Sequence, residues 1–306
     1  MRKLLVGFST SKKFILRIRS LDRLKAREIK AEKKYWKSFY KEFTDYMYDD
    51  CDCFDNYVGY NIKLLRSFFN YLNAECDMNI GEFHKSFYSP NEEIEIITLL
   101  PDQLKFLIHN KEFESSLSAR LQATKDTFVF GCTVALRFSD LIKLTRLNVE
   151  SVNGKYYLKV SSQKTNTLTR VLLPDYAVEI LNKRGGTKKT IFTPISRAQF
   201  NANVKELISL ANWQDERTKT RNKRGVPVVI YKDVKKKEPY QFCDLISSHT
   251  MRRTAISTML CLNMPENVVR KISGHAANSK EFFRYVELNQ KYTDVETEKV
   301  HELMRL

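Results

Sequence analysis

The stretch that decides the fold is VESVNGKYYLKV, residues 149–160, because it breaks a chain whose other apolar patterns are mostly helical. Asn153-Gly154 is a dipeptide that two-residue hairpin turns prefer, and Val149–Val152 and Tyr156–Val160 flank it with β-branched and aromatic residues. A third strand is predicted at Leu168–Leu173. We therefore expect a mainly α fold with a small antiparallel β-sheet, which is the α+β class.

Helical periodicity dominates the rest of the chain. Apolar side chains recur at steps of three and four residues along Leu24–Tyr48 and Asp55–Asn73, which predicts two long helices. Pro101 marks the first turn of another helix. The remaining predicted helices are Leu117–Ala135, Asp175–Lys183, Ala198–Ala211, His249–Leu262, Glu266–Ser273, Lys280–Glu287 and Glu296–Met304.

A linker is predicted at Ser89–Glu93, where Pro90 and turn-forming residues interrupt the helical pattern. It separates a helical domain over residues 1–92, with a basic N-terminal segment, from a larger domain over residues 97–306 that carries the sheet. Within the larger domain, residues 213–244 predict a basic, irregular insert with a strand at Val226–Lys232.

The charge balance points to a polyanionic partner. The 306 residues include 52 Lys+Arg against 36 Asp+Glu, a formal net charge of +16. Such a surface suits nucleic acid or an anionic membrane, with solubility alone as the other explanation. The longest apolar runs, such as Ile96–Leu100, are too short to span a bilayer. The N-terminus lacks a signal-peptide core and the six cysteines show no disulfide framework, so we expect a cytoplasmic protein with no membrane partner.

The histidines and carboxylates do not predict a metal site. No ligand spacing and no carboxylate cluster of a two-metal nuclease is visible in the sequence. No metal and no cofactor are therefore expected. The histidines are His84, His109, His249, His275 and His301.

Three segments of the larger domain combine basic and nucleophilic side chains. ALRFSDL (135–141) places Asp140 three residues after Arg137, so that the carboxylate can hold the guanidinium. SHTMRRT (248–254) places His249 and Arg252 on one helical face, an imidazole beside a fork that binds phosphate. ISGH (272–275) is followed by EFFRY, which ends at Tyr285. Taken singly, each segment also fits an ordinary structural role, such as a helix ion pair or a core cluster of aromatic rings.

Together the segments resemble the tyrosine recombinase (phage integrase-like) family of site-specific DNA recombinases. The family signature is an Arg in a Leu-Arg-x-Ser-Asp/Glu-Leu turn, a Lys in a β-hairpin, His-x-x-Arg, Gly-His and a Tyr. All of its positions are filled here in the same order, by Arg137, Lys164, His249, Arg252, His275 and Tyr285. The resemblance covers the chain from about Leu100 onward. It implies that residues 1–92 are a core-DNA-binding domain and residues 97–306 the catalytic domain.

The resemblance implies an enzyme that cleaves and rejoins DNA through a 3′-phosphotyrosyl intermediate, without metal or ATP. It makes Tyr285 the nucleophile and His249 the general base, and it makes Lys164 the proton donor to the 5′-oxygen. The remaining members, Arg137, Arg252 and His275, would neutralise the nonbridging phosphate oxygens. The interval from His275 to Tyr285 is ten residues, where the family usually has nine. We expect the loop at 276–278 to absorb the extra residue, with Tyr292 as the second candidate nucleophile.

The partners implied are double-stranded DNA, other copies of the chain in a homotetramer on paired sites, and an accessory DNA-bending or excision protein. The amphipathic spacing of Val295, Val300, Leu303 and Met304 suits a helix that docks onto a neighbouring protomer. The basic insert at residues 213–244 is expected to contact DNA, and the alternative is that it is only a solvated charged loop. The predicted DNA contacts are Lys33, Lys34 and Lys37 on the first long helix, Lys63 beside Leu64 and Arg66 on the second, and Arg221, Lys223 and Arg224 in the insert.

Two other functions remain open at this stage. A type IB topoisomerase-like enzyme would use the same residues to relax supercoils without exchanging strands between partners. A catalytically silent DNA-binding regulator would bind DNA without forming a covalent adduct, although no signature position is degenerate.

Overall fold

The computed structural model describes residues 1–161, 168–184, 190–276 and 278–304, apart from the side chains of 287–293, 295–296, 299–300 and 303. The chain forms two compact units. The first contains Met1–Ile94 together with Thr218–Pro239, and the second contains Glu95–Arg217 together with Tyr240–Leu306. The first unit is therefore discontinuous, because it includes a segment that the chain reaches only after most of the second unit.

The first unit is built on aromatic packing between helices α1 (Arg2–Lys12), α2 (Ala26–Asp45) and α3 (Asp55–Glu75). A π-helical turn, Tyr46–Asp50, extends α2, and a 3-10 turn, Phe83–Ser86, closes the unit. The Trp36 ring stacks on Phe83 with 4.4 Å between ring centroids. These rings remove a large apolar area from water, which is the main force that holds so small a helical unit together. Its core also includes Phe8, Phe39, Phe43, Met47, Val58, Ile62, Leu65, Phe69, Ile80 and Phe87.

The predicted linker, Ser89–Glu93, packs against α3 and is hydrogen-bonded to it. A Cβ atom on Gly59 would lie only 1.8 Å from the carbonyl oxygen of Pro90, so this helix position requires glycine. The Asn56 side chain donates to the Glu92 carbonyl and accepts from the Glu92 amide, at 3.1 and 2.9 Å. Residues 89–92 thus belong to the first unit.

The basic insert is an ordered hairpin rather than an irregular loop. Strands β5 (Lys219–Lys223) and β6 (Val226–Ile230) pair antiparallel around Arg224 and Gly225. Both turn residues have positive φ, 55° and 78°. The turn amides of Arg224 and Gly225 donate to the two carboxylate oxygens of Asp55, at 2.8 and 2.9 Å. Because a buried carboxylate of α3 accepts these bonds, the hairpin is part of the first unit's structure.

The second unit is organised around α6 (Ala119–Val134), which is buried over most of its length. Its apolar residues are not confined to one face, since α11 and α9 pack on it from different sides. The other helices of this unit are α4 (Pro101–His109), α5 (Lys111–Ser116), α7 (Phe138–Leu141), α8 (Asp175–Arg184), α9 (Arg197–Leu210), α10 (Phe242–Leu245), α11 (Ser248–Cys261), α12 (Glu266–Ser273) and α13 (Lys280–Leu303).

The predicted sheet is present in the second unit. Strands β1 (Val149–Val152), β2 (Lys155–Ser161) and β3 (Leu168–Leu172) form an antiparallel sheet in the order β1-β2-β3. Asn153 and Gly154 make the first turn, both with positive φ. Two further short strands, β4 (Glu216–Arg217) and β7 (Tyr240–Gln241), pair where the chain leaves and re-enters this unit. The mainly α fold with a small antiparallel sheet is confirmed.

The helical predictions were incomplete, and the short helices α5, α7 and α10 were not among them. The pattern predicted separate helices at Lys280–Glu287 and Glu296–Met304, whereas α13 runs continuously from Lys280 to Leu303. The residues between them, 288–295, contain neither Gly nor Pro, so nothing in the backbone stops the helix. Helix α1 was not predicted, and it buries only Phe8 fully. Among the described residues, no helix is both long and apolar enough to cross a membrane.

Candidate active site

The first predicted site residue, Arg137, lies in a sharp turn between α6 and α7. Ala135 ends α6 in the left-handed conformation, with φ 55° and ψ 19°. Arg137 is then extended and caps the short helix α7. This reversal leaves the Ala135 carbonyl outside the helical hydrogen-bond ladder and turns residues 136–140 toward a cavity.

Arg252 is the structural centre of the site. It projects from α11, keeps only 7% of its surface exposed, and donates through Nη1 to the Ala135 carbonyl at 2.8 Å. Its Nη2 donates to the Ser273 carbonyl at the end of α12. Burial, together with repulsion from Arg137, lowers the pKa of Arg252 to about 10. The guanidinium therefore joins three segments of the chain while it remains charged at neutral pH.

His275 follows the end of α12 directly. Gly274 ends that helix with φ 63°, and Ser273 Oγ lies 2.8 Å from His275 Nδ1. Arg252 Nη2 lies 3.4 Å from both ring nitrogens of His275. Burial lowers the pKa of His275 to about 4, with further contributions from the Arg252, Arg137 and Arg270 charges. The ring is therefore neutral at physiological pH.

Tyr285 lies on the second turn of α13 and packs beside His275. The two ring centroids are 6.3 Å apart, and Tyr285 is 8% exposed. Burial raises the pKa of the Tyr285 hydroxyl. The charge of Arg253 and then that of Arg252 oppose this rise. The extra residue in the interval from His275 to Tyr285 does not separate the two rings.

A cavity of about 450 Å³ lies beside Arg252. Arg137, Asp140, Arg197, His249 and Arg252 contribute to its lining. Partial burial lowers the pKa of His249, and the nearby arginine charges, led by Arg253 and Arg197, lower it further. One carboxylate oxygen of Asp140 is buried with no hydrogen-bond partner among the described residues. The cavity thus combines three arginines with a neutral imidazole, an environment suited to an anion.

The structure brings five of the six predicted catalytic residues together. Arg137, His249 and Arg252 share the cavity, while His275 and Tyr285 adjoin Arg252. Lys164 lies outside the described residues. The strands that flank it, β2 and β3, are paired in register up to Ser161 and Leu168. The side chain of Tyr292 also lies outside the described residues.

Sequence reasoning missed two arginines near this site. Arg253 was given no role in the sequence analysis, although its position next to Arg252 could have signalled it. Arg197 is the first residue of α9 and belongs to no motif. It reaches the site because Asn201, one turn later on α9, accepts a hydrogen bond from the Ser248 amide at 2.8 Å. Only the packing of α9 against α11 reveals it.

The predicted DNA-contacting cations of the first unit are of two kinds: those on α2 and α3 have no described ion pair, and those of the insert contact carboxylates. Lys33, Lys34 and Lys37 are exposed on α2, and Lys63 is exposed beside Leu64 on α3, with Arg66 half-buried nearby. These residues form no ion pair with any part of the chain that the structure describes. They are therefore available to an external anion.

The cations of the insert instead contact carboxylates of their own unit. Lys223 Nζ lies 2.6 Å from Asp52, and Arg224 Nη2 lies 2.9 and 2.8 Å from Asp45 and Asp49. Arg221 is 4.0 Å from Glu92. These contacts give the three residues a structural role, so phosphate would have to compete with carboxylates for them.

A large part of the chain matches a known family. Residues 98–291 match the sequence profile described as the Phage integrase family. Comparison with curated protein sequences gives no match.

Two solved structures with TM-scores above 0.5 share this fold. A XerH site-specific recombinase bound to palindromic difH substrate, in a post-cleavage complex, has a TM-score of 0.55 at 13% identity, covering 96% of this chain and 76% of that chain. A Tn1549 transposon integrase in complex with a circular intermediate DNA has a TM-score of 0.57 at 13% identity, covering 92% and 93%. A pre-cleavage complex of XerH with difH has a TM-score of 0.46 at 16% identity. The match covers 71% of this chain and only 57% of the XerH chain.

Proposed function

The chain belongs to the phage integrase family, and from that membership we propose that it cleaves and rejoins duplex DNA with Tyr285 as the nucleophile. The family makes the protein a site-specific DNA recombinase or integrase. The observation that carries the assignment of Tyr285 as the nucleophile is the cluster of side chains around Arg252. Arg252 Nη2 lies 3.4 Å from the ring nitrogens of His275, and the His275 ring packs beside Tyr285.

The arginines neutralise the phosphate. A phosphodiester is an anion, and attack on phosphorus adds charge to its nonbridging oxygens, so fixed cations stabilise the transition state more than the ground state. Arg137 and Arg252 supply two guanidinium groups at the cavity. Arg252 is already held by the Ala135 and Ser273 carbonyls, so little reorganisation is needed when the phosphate arrives.

His275 acts as a neutral hydrogen-bond donor. With a pKa of about 4 it carries one ring proton at neutral pH. The Ser273 hydroxyl has one hydrogen and three acceptors within reach: the Val269 carbonyl at 2.7 Å, the Arg270 carbonyl at 3.4 Å and His275 Nδ1 at 2.8 Å. When Ser273 donates to Nδ1, the ring proton is on Nε2, where it can be donated to a phosphate oxygen.

The chemical step conserves the number of phosphodiester bonds. The Tyr285 oxygen bonds to phosphorus while its proton passes to His249, and the bond from phosphorus to the 5′-oxygen breaks. Lys164 protonates the departing 5′-oxygen. The lowered pKa of His249 suits this role, because a neutral imidazole can accept a proton at pH 7. Rejoining reverses these transfers, so the bond energy is kept in the 3′-phosphotyrosyl link.

The assembly we propose is a homotetramer on two duplexes, with exposed cations of α2 and α3 on the phosphate backbone. The continuation of α13 from Tyr285 to Leu303 supports it, because this helix is long enough to reach a neighbouring protomer. Gel filtration on paired DNA sites should give a four-subunit complex, and a monomer on every DNA would contradict the proposal. An accessory DNA-bending or excision protein would act on this assembly.

The decisive experiment traps the covalent intermediate. The substrate is a nicked suicide duplex drawn from DNA flanking the gene. After cleavage, the short fragment that carries the free 5′-hydroxyl diffuses away. Because rejoining needs that hydroxyl, the protein remains attached to the 3′-phosphate. We expect a covalent band with the native chain and none with Tyr285→Phe, because only the hydroxyl is removed.

Tyr292→Phe is the matched control on the same helix, and it should form the band normally. A band that persists in Tyr285→Phe and disappears in Tyr292→Phe would move the nucleophile. DNA binding without a band from the native chain would favour a silent regulator instead. Relaxation of plasmid that lacks any recognition site would favour a type IB topoisomerase-like activity.

A further inference from the structure

Arg197 lines the active-site cavity, although it lies outside every segment that carries the family signature. It is the first residue of α9, next to the capping residue Ser196. Asn201 follows one helical turn later and accepts the Ser248 amide at the start of α11. Residues four apart lie on the same helical face, so the face of α9 that carries Arg197 is directed toward His249.

The Arg197 guanidinium has no ion pair or hydrogen bond within the described parts of the chain, and the residue is exposed. Lys205, on the same helix, is also exposed but does not line the cavity. Arg252, by contrast, is 7% exposed and is held by two carbonyl groups. Arg197 is therefore a positive charge at the rim of the cavity that remains available to a ligand.

The surroundings of Arg197 favour a phosphate. The first amide groups of an α-helix have no partner within the helix, and α9 begins at this rim. Among the residues that the structure describes, Ser196 Oγ accepts from the Gln199 amide alone, at 3.2 Å. The Arg197 charge is also close enough to His249 to contribute to the lowering of its pKa. These observations place a helix N-terminus and an unpaired guanidinium on one side of the same anion cavity.

Resting on the proposed function, we infer that Arg197 binds the phosphate next to the scissile phosphate on the cleaved strand. Arg137, Arg252 and His275 already supply the donors for the scissile group itself. The cavity, at about 450 Å³, is larger than one phosphate requires, and Arg197 lies at its open side. A contact to the neighbouring phosphate would fix the register of the strand, so that the scissile phosphorus lies in line with Tyr285.

The test removes the Arg197 side chain and the charge of the adjacent phosphate, first separately and then together. Single-turnover formation of the covalent complex is measured for the native chain and Arg197→Ala on a suicide duplex and on the same duplex with a neutral methylphosphonate at the adjacent phosphate. On natural DNA we expect Arg197→Ala to slow the step by about 10- to 100-fold, which is typical for the removal of one charge-assisted hydrogen bond. On the methylphosphonate duplex, the variant and the native chain should differ by less than about threefold.

Lys205→Ala is the matched control, and it should react at the native rate on both duplexes. An equal loss for Arg197→Ala on both duplexes would overturn the inference, as would no loss on either. In both cases the native chain would still form the covalent complex, so the proposed function would stand. If the native chain formed no covalent complex on any duplex, the proposed function and the inference would fall together. Thermal unfolding of Arg197→Ala should match the native chain, since no hydrogen bond or ion pair of the described protein is removed.

Discussion

Arginine side chains set the chemistry of the site at the scale of single residues. Arg137, Arg197, Arg252 and Arg253 all contribute charge at His249, and together with burial they keep that imidazole neutral. The charges of Arg252 and Arg253 also act on Tyr285, where they favour the phenolate. If His249 is the base and Tyr285 the nucleophile, as we propose, the same arginine charges keep the imidazole neutral and limit the rise that burial causes in the pKa of Tyr285.

Arg253 provides a test of this electrostatic arrangement. Arg253→Ala removes a charge that lowers the pKa of both Tyr285 and His249, so both pKa values should rise, and less phenolate and less neutral imidazole should be present at any given pH. We expect covalent-complex formation at pH 7.5 to slow by about tenfold, which corresponds to about one pKa unit. The rise of the rate with pH should move to higher pH.

The measurement is the single-turnover rate of covalent-complex formation between pH 6 and 10. Arg253→Lys keeps the charge and should recover most of the native rate. A slower rate with an unshifted pH profile would contradict the proposed effect on Tyr285 and would assign Arg253 to DNA binding instead.

At the scale of secondary structure elements, the packing of the β5–β6 hairpin on α3 explains why the insert is ordered. Asp55 is 3% exposed and accepts from the Tyr48 hydroxyl at 2.7 Å, as well as from the two turn amides. The insert, which the sequence predicts to be irregular and to contact DNA, is ordered because one buried carboxylate satisfies these three donors. The surrounding ion pairs are more exposed and should contribute much less.

Asp55→Asn should separate these contributions. The amide places an NH₂ group against donors that need an acceptor, so the free energy of unfolding should fall by about 2 kcal/mol. Asp52→Asn is the control: the Asp52 side chain is 82% exposed and its ion pair is with Lys223, so its loss should stay below about 0.5 kcal/mol. Urea unfolding measures both variants, and hydrogen exchange at Arg224 and Gly225 should accelerate only in Asp55→Asn. Equal losses in the two variants would show that the buried carboxylate has no special role.

Net charge governs DNA binding at the scale of the whole molecule. The formal charge of +16 should make affinity for duplex DNA fall steeply with salt, whatever the sequence of the site. The structure distinguishes cations that are exposed without a described ion pair, such as Lys33, Lys34 and Lys37, from those already paired with carboxylates. Only the former should release counterions from DNA in full.

Replacing Lys33, Lys34 and Lys37 together with alanine should reduce the slope of log affinity against log salt by about two to three, at about 0.9 for each phosphate that is no longer neutralised. The matched control replaces three lysines paired with carboxylates and removes the same net charge. Titration of duplex DNA at several KCl concentrations measures the slopes. Similar slopes for the two triple variants would show that net charge alone, and not this face of α2, determines binding. The control residues are Lys12, Lys85 and Lys105.

The helices were largely predictable because their apolar periodicity is local. Glu266–Ser273 was predicted to the residue, and the Asn153-Gly154 turn identified the sheet. The exceptions have local causes too. Helix α13 continues where no Gly or Pro stops it, and α1 is short and buries only Phe8 fully.

By itself, the sequence determined the α+β class, most of the longer helices, the three-stranded sheet and the family. It also gave the candidates Arg137, His249, Arg252, His275 and Tyr285, because each of these depends on residue types at short or ordered spacings. Only the tertiary structure decided that the insert joins the first unit and that Arg197 reaches the cavity. The physical reason is that both depend on contacts between residues far apart in the chain, from Asp55 to Arg224 and from Asn201 to Ser248. No local pattern encodes such contacts, since they form only when separately folded elements pack together.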